Sequence, residues 1–338
     1  MRKKIVLFFS SVKSKDSFKT VQFYNIDINI LKDLGCDVVL SNRVSDAICF
    51  WKYDFVYVYF YRYGFFVALI ARLFGKKAVF TGGIDSLNQK NRGTKDYRIQ
   101  KLFFRLCYRV CNISIIVSKT DLENVRAVIS NTRKIAYSEH TIDVNRYNAS
   151  EGLKQKIFVT IGWTALSSIE RKGIDKSITV FAELVKHPEF SDYTFVLVGT
   201  PGDGIGYLKQ LIKDLHVSDK IVIKGNVSED EKIHLLERAK YYFQLSLFEG
   251  FGLAALEAVC AKDILIHSGK GGLSNPIYKD EVLFDIDKDL ISETESLYHR
   301  LIDFDTSIIE DTYQKVCESY GNERRKKELG EILSRIFH

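Results

Sequence analysis

Short apolar runs separated by longer amphipathic stretches recur along the whole 338-residue chain, and this alternation limits what it can fold into. In the first part the runs fall at 5–9, 38–40, 55–60, 78–81 and 113–117, and later ones fall at 157–161, 194–198, 221–223, 242–245 and 264–267. Each is too short for a buried helix and reads as a strand covered on both faces. Between the later runs, residues 174–186, 206–215, 229–239 and 253–261 have helical character. Strands alternating with helices predict an α/β chain with doubly wound parallel sheets. Residues 143–156 are polar, lack an apolar period and precede a fresh strand, so the hinge is placed there, giving domains 1–147 and 148–319. The segment 323–337 sets Leu329, Ile332, Ile336 and Phe337 on one side of a charged helix. That terminal helix, within 320–338, is free to pack on either domain, including back on the first.

A chain of this length with 46% apolar residues can build two cores. The start, Met1-Arg2-Lys3-Lys4 before five apolar residues, reads as a first buried strand because Ser10, Ser11, Lys13 and Lys15 end the run too soon for a leader. Residues 55–74 are the nearest approach to a membrane span. Arg62 and Arg72 interrupt them, and Tyr57, Tyr59, Tyr61 and Tyr63 alternate as strand residues do, so a strand, a turn and a helix are expected. Six cysteines form no C-x-x-C pair and no histidine cluster accompanies them, which fits a reduced, cytoplasmic protein. Cys107 and Cys111 read as small buried hydrophobes.

The net charge of +6 is unevenly spread. Residues 1–150 hold 25 Lys and Arg against 12 Asp and Glu, whereas 151–338 hold 24 against 31. A basic first half favours anionic partners: an acidic membrane leaflet, a phosphate-bearing acceptor or nucleic acid. No nucleic-acid recognition motif accompanies it. The aromatic and basic tracts 59–80 and 98–109 have two readings, a core with snorkelling arginines and a peripheral surface resting on an anionic membrane.

In an open α/β sheet, ligands gather at the carboxyl ends of the strands. Four such connections in the second half carry suitable groups: Glu170-Arg171-Lys172-Gly173, Gly199-Thr200-Pro201-Gly202-Asp203-Gly204, Gly225-Asn226-Val227-Ser228, and Ser246-Leu247-Phe248-Glu249-Gly250-Phe251-Gly252. A diphosphate needs cations and closely approaching backbone N–H groups. Arg171 and Lys172 supply the first, and a glycine-flanked loop feeding a helix supplies the second. Glu257, near the start of that helix, can accept paired hydrogen bonds from vicinal hydroxyls such as those of ribose. Glu249, before the glycines, would face a sugar. Gly202 and Gly204 also suit simple turn geometry. Asp285-Ile286-Asp287 has D-x-D metal spacing but falls after the strand loops and reads as a solvated turn, and His267 at a strand end reads as structural.

With these residues on view, 157–285 resembles the retaining GT-B glycosyltransferases of family 4, the glycosyl transferases group 1. The resemblance rests on E-x7-E at Glu249 and Glu257, on Arg171-Lys172-Gly173, on Gly271-Gly272, and on Phe248-Glu249-Gly250-Phe251-Gly252-Leu253. It implies a GT-B fold, with two Rossmann-like domains facing across a cleft, the first for the acceptor and the second for a nucleotide-sugar donor such as a UDP-sugar. It further implies that Arg171 and Lys172 bind the diphosphate and act with Glu249 in catalysis, Glu249 meeting the donor sugar and Glu257 the ribose. Gly250, Phe251, Gly252 and Leu253 would offer main-chain contacts, as would Gly199 and Thr200, and Asn226 and Val227 would line the base. The reaction implied retains anomeric configuration, uses no metal or other cofactor, and extends a glycan or lipid-linked acceptor of a surface polysaccharide such as capsule or lipopolysaccharide.

The chain departs from the family pattern, mostly in its first half. Residues 10–19 have no glycine pair, 81–85 have no histidine, and Trp163 follows Gly162 where arginine is frequent. Asp85, Lys13, Lys15 and His140 are the acceptor-side candidates. A nucleotide-sugar 2-epimerase of the same fold and a catalytically inactive sugar-nucleotide-binding subunit remain alternatives.

Overall fold

A computed structural model describes residues 3–88, 94–147 and 154–337. The chain divides into two compact units, residues 1–143 with 320–338 and residues 144–319.

In the first unit, strands β1 (Lys4–Phe9), β2 (Cys36–Ser41), β3 (Phe55–Tyr59), β4 (Lys77–Thr81), β5 (Ile113–Ile116) and β6 (Ile135–Tyr137) alternate with helices α1 (Ser17–Thr20), α2 (Gln22–Asp33), α3 (Gly64–Leu73), α4 (Thr94–Val110) and α5 (Lys119–Arg126). The strands form a parallel sheet in the order β2-β1-β3-β4-β5-β6. Successive strand side chains point to opposite faces. Val6, Phe8, Phe55, Tyr57 and Tyr59 therefore join one core, beneath α2, and Leu7, Phe9, Val56 and Val58 join the other, beneath α3 and α4. Both faces are covered, which is why these strands read as continuous apolar runs. The stretch 55–74 is a strand, a turn and a helix, and among the described residues no helix is long and apolar enough to cross a membrane.

The second unit repeats the plan with β7 (Ile157–Ile161), α6 (Leu166–Lys172), α7 (Ile174–Leu184), β8 (Thr194–Val198), α8 (Ile205–Asp214), β9 (Ile221–Gly225), α9 (Glu229–Arg238), β10 (Tyr241–Gln244), α10 (Leu253–Cys260), β11 (Ile264–His267), β12 (Val282–Leu283), α11 (Leu290–Ile302) and α12 (Ser307–Tyr320). Its parallel sheet runs β12-β11-β10-β7-β8-β9. The chain winds outward from β7 through β9 and then crosses to the far side of β7 with β10. The crevice between β7 and β10 is thus a topological switch point, where ligands of such sheets bind.

The last helix, α13 (Asn322–Phe337), returns to the first unit and lays Leu329, Ile332 and Leu333 on the core beneath α2. Its Arg325 is buried and forks onto Asp27 of α2, Nε to Oδ1 at 2.6 Å and Nη2 to Oδ2 at 2.8 Å.

Some elements differ from the sequence reading. Strands β6 and β12 were not expected, because three and two half-covered residues at sheet edges make no apolar run. Residues 170–172 are not a loop but the last turn of α6, a seven-residue helix too short and polar to show a period. The unit division falls between Asp143 and Val144, upstream of the boundary drawn after Tyr147. Within the second unit Arg146 faces Glu229 at 3.9 Å and Asp230 at 3.7 Å, and Tyr147 is buried near Glu257.

Candidate active site

Two segments meet at the switch point. After β7 the chain runs through α6 and turns at Gly173, whose φ of 61° ends the helix in the left-handed region. A Cβ there would stand 2.1 Å from the carbonyl oxygen of Leu245, so only glycine lets this corner sit on the loop after β10. The backbone seals the contact: Leu247 N–H donates to the Arg171 carbonyl at 2.8 Å, and an Arg171 guanidinium N–H reaches the Phe248 carbonyl at 3.4 Å. Arg171 and Lys172, both half-buried, are thereby held beside the Glu249 loop.

Glu249 is oriented from several sides. Its Oε2 accepts from Gln244 Nε2 at 3.1 Å and from the Ser246 hydroxyl at 3.2 Å, and Lys172 Nζ lies 3.9 Å away. Gln244 in turn donates to Ser246 Oγ at 2.8 Å and accepts from the buried Tyr242 hydroxyl at 3.0 Å. The Ser268 hydroxyl holds the Ser246 carbonyl at 2.6 Å. A carboxylate and an ammonium are thus fixed side by side, partly open to solvent, at the carboxyl ends of adjacent strands.

The loop 249–252 is supported from β11. Gly271, at φ 61°, presses so close that a Cβ would lie 2.3 Å from the Glu249 carbonyl oxygen, and Gly272 N–H donates to that same oxygen at 2.7 Å. Gly252 enters α10 at φ 90°, leaving Gly250, Phe251 and Leu253 half-buried at the helix start. At a helix start of this kind the backbone N–H groups and the positive helix end favour an anion.

Glu257 occupies the second turn of α10 and is buried. Its Oε1 receives Lys232 Nζ of α9 at 2.8 Å, and Lys232 also faces Glu229 at 3.0 Å. Burial raises the Glu257 carboxyl above the usual carboxylate range, against the opposing pull of Lys232. Lys232 is raised too, Glu257 and Glu229 outweighing its own burial.

The glycine-rich loop after β8 works mainly against the segment after β7. A Cβ on Gly199 would meet the Gly162 carbonyl oxygen at 1.9 Å, and one on Gly202 would meet the Ala165 nitrogen at 2.4 Å. Gly202 N–H donates to Thr164 Oγ1 at 2.9 Å, and Asp203 Oδ1 accepts from Leu166 N–H at 2.9 Å. Thr200 and Asn226 are exposed and Val227 is half-buried, with Ser228 and Glu231 forming a capping box on α9 immediately after.

The first-unit candidates are scattered. Lys13 is exposed, Lys15 donates to the Leu40 carbonyl at 2.7 Å, and His140 is buried with its ring 5.5 Å from Phe23. The side chain of Asp85 lies outside the described residues. A cavity of about 270 Å³ opens at the carboxyl ends of β3 and β4, lined by Phe60, Arg62, Gly83, Ile84, Asp96 and Gln100. Of the D-x-D pair, Asp287 is held by Lys270 and Asp285 faces Lys288 at 3.9 Å.

Sequence reading missed Gln244, Ser268 and Lys232, and named Ser246 in its loop without giving it a role. The one available signal was Gln244, a polar residue closing an apolar strand.

Residues 149–294 match the family model described as Glycosyl transferases group 1. The chain is 28% identical over 166 residues to the phosphatidylinositol N-acetylglucosaminyltransferase gpi3 subunit of Schizosaccharomyces pombe, covering 48% of this chain and 35% of that one. It is 24% identical over 230 residues to the GDP-mannose:cellobiosyl-diphosphopolyprenol alpha-mannosyltransferase of Xanthomonas campestris, covering 65% and 54%. The chain therefore spans about a third to a half of the length of these curated relatives. The solved structure of Anabaena HepE in complex with UDP and glucose superposes with a TM-score of 0.78 at 15% identity, over 98% of this chain and all of that one. Residues 149–294 are thus similar to a glycosyl transferases group 1 domain, on a chain whose fold is that of the GT-B glycosyltransferases.

Proposed function

We propose that this chain transfers a sugar from a nucleoside-diphosphate sugar to a hydroxyl of a glycan or lipid-linked acceptor, with retention of anomeric configuration. The observation that carries the reading is Lys172 beside Glu249 at the switch point, with Arg171 and the start of α10 adjacent. Arg171, Lys172 and the backbone N–H groups of 250–253 take the diphosphate, Glu249 takes the donor sugar, and Glu257 with its partner Lys232 borders the ribose. Gly199 and Thr200 add to the phosphate side, and Asn226 and Val227 to the base. The bond from the anomeric carbon to the β-phosphate oxygen breaks while the acceptor oxygen bonds on the same face. The acceptor proton passes to the departing diphosphate. The protein's contribution is fixed positive charge where the leaving group gathers negative charge, with no metal ion.

Relatives named for UDP- or GDP-linked sugars and for a polyprenol-linked acceptor support this donor and acceptor class. In the same reading the acceptor uses the cavity between Arg62 and Asp96, and the product belongs to a surface polysaccharide assembled at the inner face of the membrane.

A thermal-shift series with nucleoside diphosphates, followed by donor hydrolysis and transfer assays, tests this. Ligand at 100 times Kd should add about 2.7 kcal/mol of stability. UDP- or GDP-sugars should hydrolyse slowly without acceptor, and Lys172→Ala should lower turnover by about 100-fold. No shift with any nucleoside diphosphate would sink the donor assignment. A shift without hydrolysis or transfer would leave a binding subunit instead of an enzyme.

A further inference from the structure

Strand β3 ends by breaking its own alternation. At the strand period of two, residues 57, 59 and 61 belong on one face. Tyr57 and Tyr59 do join the core beneath α2, yet Tyr61 joins the opposite core with Val56 and Val58. Phe60 makes up the difference with a φ of 66°, in the left-handed region that a bulky side chain rarely enters. Both neighbours are fastened, so the strain has no release. The Tyr59 hydroxyl donates to Asp27 Oδ2 at 2.6 Å, and the Tyr61 hydroxyl shares a hydrogen bond with Ser114 Oγ at 2.9 Å. The Tyr61 carbonyl accepts from the Cys107 thiol at 2.8 Å, and Phe60 N–H donates to the Thr81 carbonyl at 3.0 Å.

The turn throws the Phe60 ring off the end of the sheet. It is 36% exposed and lies against Gly82, where a Cβ would stand 3.1 Å from ring carbon Cδ1. Phe23 and Tyr24 meet it edge to face, each with its ring centre 6.4 Å away. The ring forms part of the wall of the 270 Å³ cavity at the ends of β3 and β4. Ile84, in the same wall, is pinned by its N–H, which donates to the buried Asp121 at 3.1 Å. The wall also carries Arg62, Ser86, Asp96 and Gln100, whose side chains make no hydrogen bond or ion pair among the described residues. Backbone strain held in place by its surroundings, beside an open polar cavity, marks a working surface.

An aromatic face next to guanidinium, hydroxyl, carboxylate and amide groups fits a pyranose. The C–H face of the sugar covers the ring, while its hydroxyls donate to Asp96, accept from Arg62 and do either with Ser86 and Gln100. The volume falls below the range of about 300–1,000 Å³ typical of drug-sized ligands, so the cavity holds one ring. A phosphate is a poor match, because Asp96 opposes what Arg62 attracts.

The geometry points to Phe60 as the stacking platform for a single neutral pyranose, the sugar that receives the transferred one. Its role as acceptor rests on the transfer reaction proposed for this chain, whereas sugar binding at Phe60 does not. The acceptor group is thereby a saccharide hydroxyl and not a bare lipid phosphate, so a different transferase must already have placed the preceding sugar.

Saturation-transfer NMR on the full chain with methyl β-glucopyranoside, methyl β-galactopyranoside and methyl α-mannopyranoside tests it, with inorganic phosphate as competitor. At least one glycoside should receive saturation, strongest on the ring C–H protons of one face, and phosphate should not displace it. Phe60→Asn keeps the turn, because asparagine accepts the left-handed region, and should weaken binding about ten-fold with far-UV circular dichroism unchanged. Phe60→Tyr should bind as before. Should Phe60→Asn fail to fold, Gln100→Ala on α4 decides, with an expected loss of about three- to ten-fold. No saturation of any glycoside, displacement by phosphate, or full binding by the deciding variant overturns the inference. In transfer assays octyl glycosides should accept the sugar and octyl phosphate should not, and the reverse overturns the acceptor role. Glycoside binding without nucleoside-diphosphate stabilisation of the same samples would sink the transfer reaction and leave the platform standing.

Discussion

His140 illustrates how a residue's setting fixes its chemistry. On sequence it stands near the hinge as an acceptor contact; in the structure it is buried against Phe23, with Arg325 and Asp27 close by. Burial, helped by the Arg325 guanidinium, lowers its pKa to about 3 against the opposing pull of Asp27. The folded state therefore holds a neutral ring where an unfolded histidine, at about 6.5, would take a proton. Its contribution to stability is complete above pH 6.5 and declines by about 1.4 kcal/mol for each pH unit below that, until about pH 3. Imidazole resonances followed by NMR should show the His140 ring still neutral at pH 4.5, and a midpoint near 6.5 would refute the assignment. Glu249 and Lys172 were legible as candidates from their types and their places after adjacent strands, although Lys172 closes helix α6 and does not sit in a loop. Lys232 was not, since its role comes from a contact 25 residues away that no local pattern records, and Gln244 showed only as a polar residue closing an apolar strand.

At the scale of elements, the candidate site is a set of corners brought into backbone contact by glycine. Gly173 and Gly271 each combine positive φ with a neighbouring carbonyl oxygen where a Cβ would sit, at 2.1 and 2.3 Å. Gly173→Ala and Gly271→Ala should each destabilise the second unit by at least 1–3 kcal/mol, the cost of strain at such backbone positions. Both should also displace the Glu249 loop, lowering turnover more than stability alone accounts for. Gly206, early in α8 with nothing within 4 Å of where a Cβ would stand, is the control: Gly206→Ala should be neutral or stabilise by up to about 1 kcal/mol. Chemical denaturation with donor hydrolysis on the same preparations checks both expectations, and tolerance of alanine at Gly173 and Gly271 would contradict the close-contact account. Elements with strong internal signals were readable, as with α9, opened by the capping box of Ser228 and Glu231. Those defined by their neighbours were not: α6 holds its place through Gly173 and the loop after β10, and β6 through its ladder to β5.

For the molecule as a whole, the decisive feature is that the chain leaves the first unit at Asp143 and returns to it at Tyr320. The return is fastened by Arg325, one cation of the charged terminal helix. It is buried on Asp27, 298 residues earlier, and also donates to the carbonyls of Ser138 and Glu139 at 2.8 and 3.0 Å. Tyr57 and Tyr59 complete the cluster by donating to Asp27 Oδ2 at 2.8 and 2.6 Å. Burial alone would raise the Asp27 carboxyl, yet the guanidinium and the tyrosine hold it below its ordinary value. A buried pair of this kind costs about 3–5 kcal/mol when one partner is removed, because the other charge is left uncompensated. Arg325→Met should therefore weaken the first unit by about that amount and loosen α13, read as an earlier unfolding transition and lost amide protection in α13 and α2. Combining it with Asp27→Asn should recover part of the loss. Recovery stays incomplete, since the Ser138 and Glu139 carbonyls still lack their donor while the asparagine oxygen can keep accepting from the tyrosines. Strictly additive losses in the double variant would show that the two residues are not coupled, and α13 would then be held by Leu329, Ile332 and Leu333 alone.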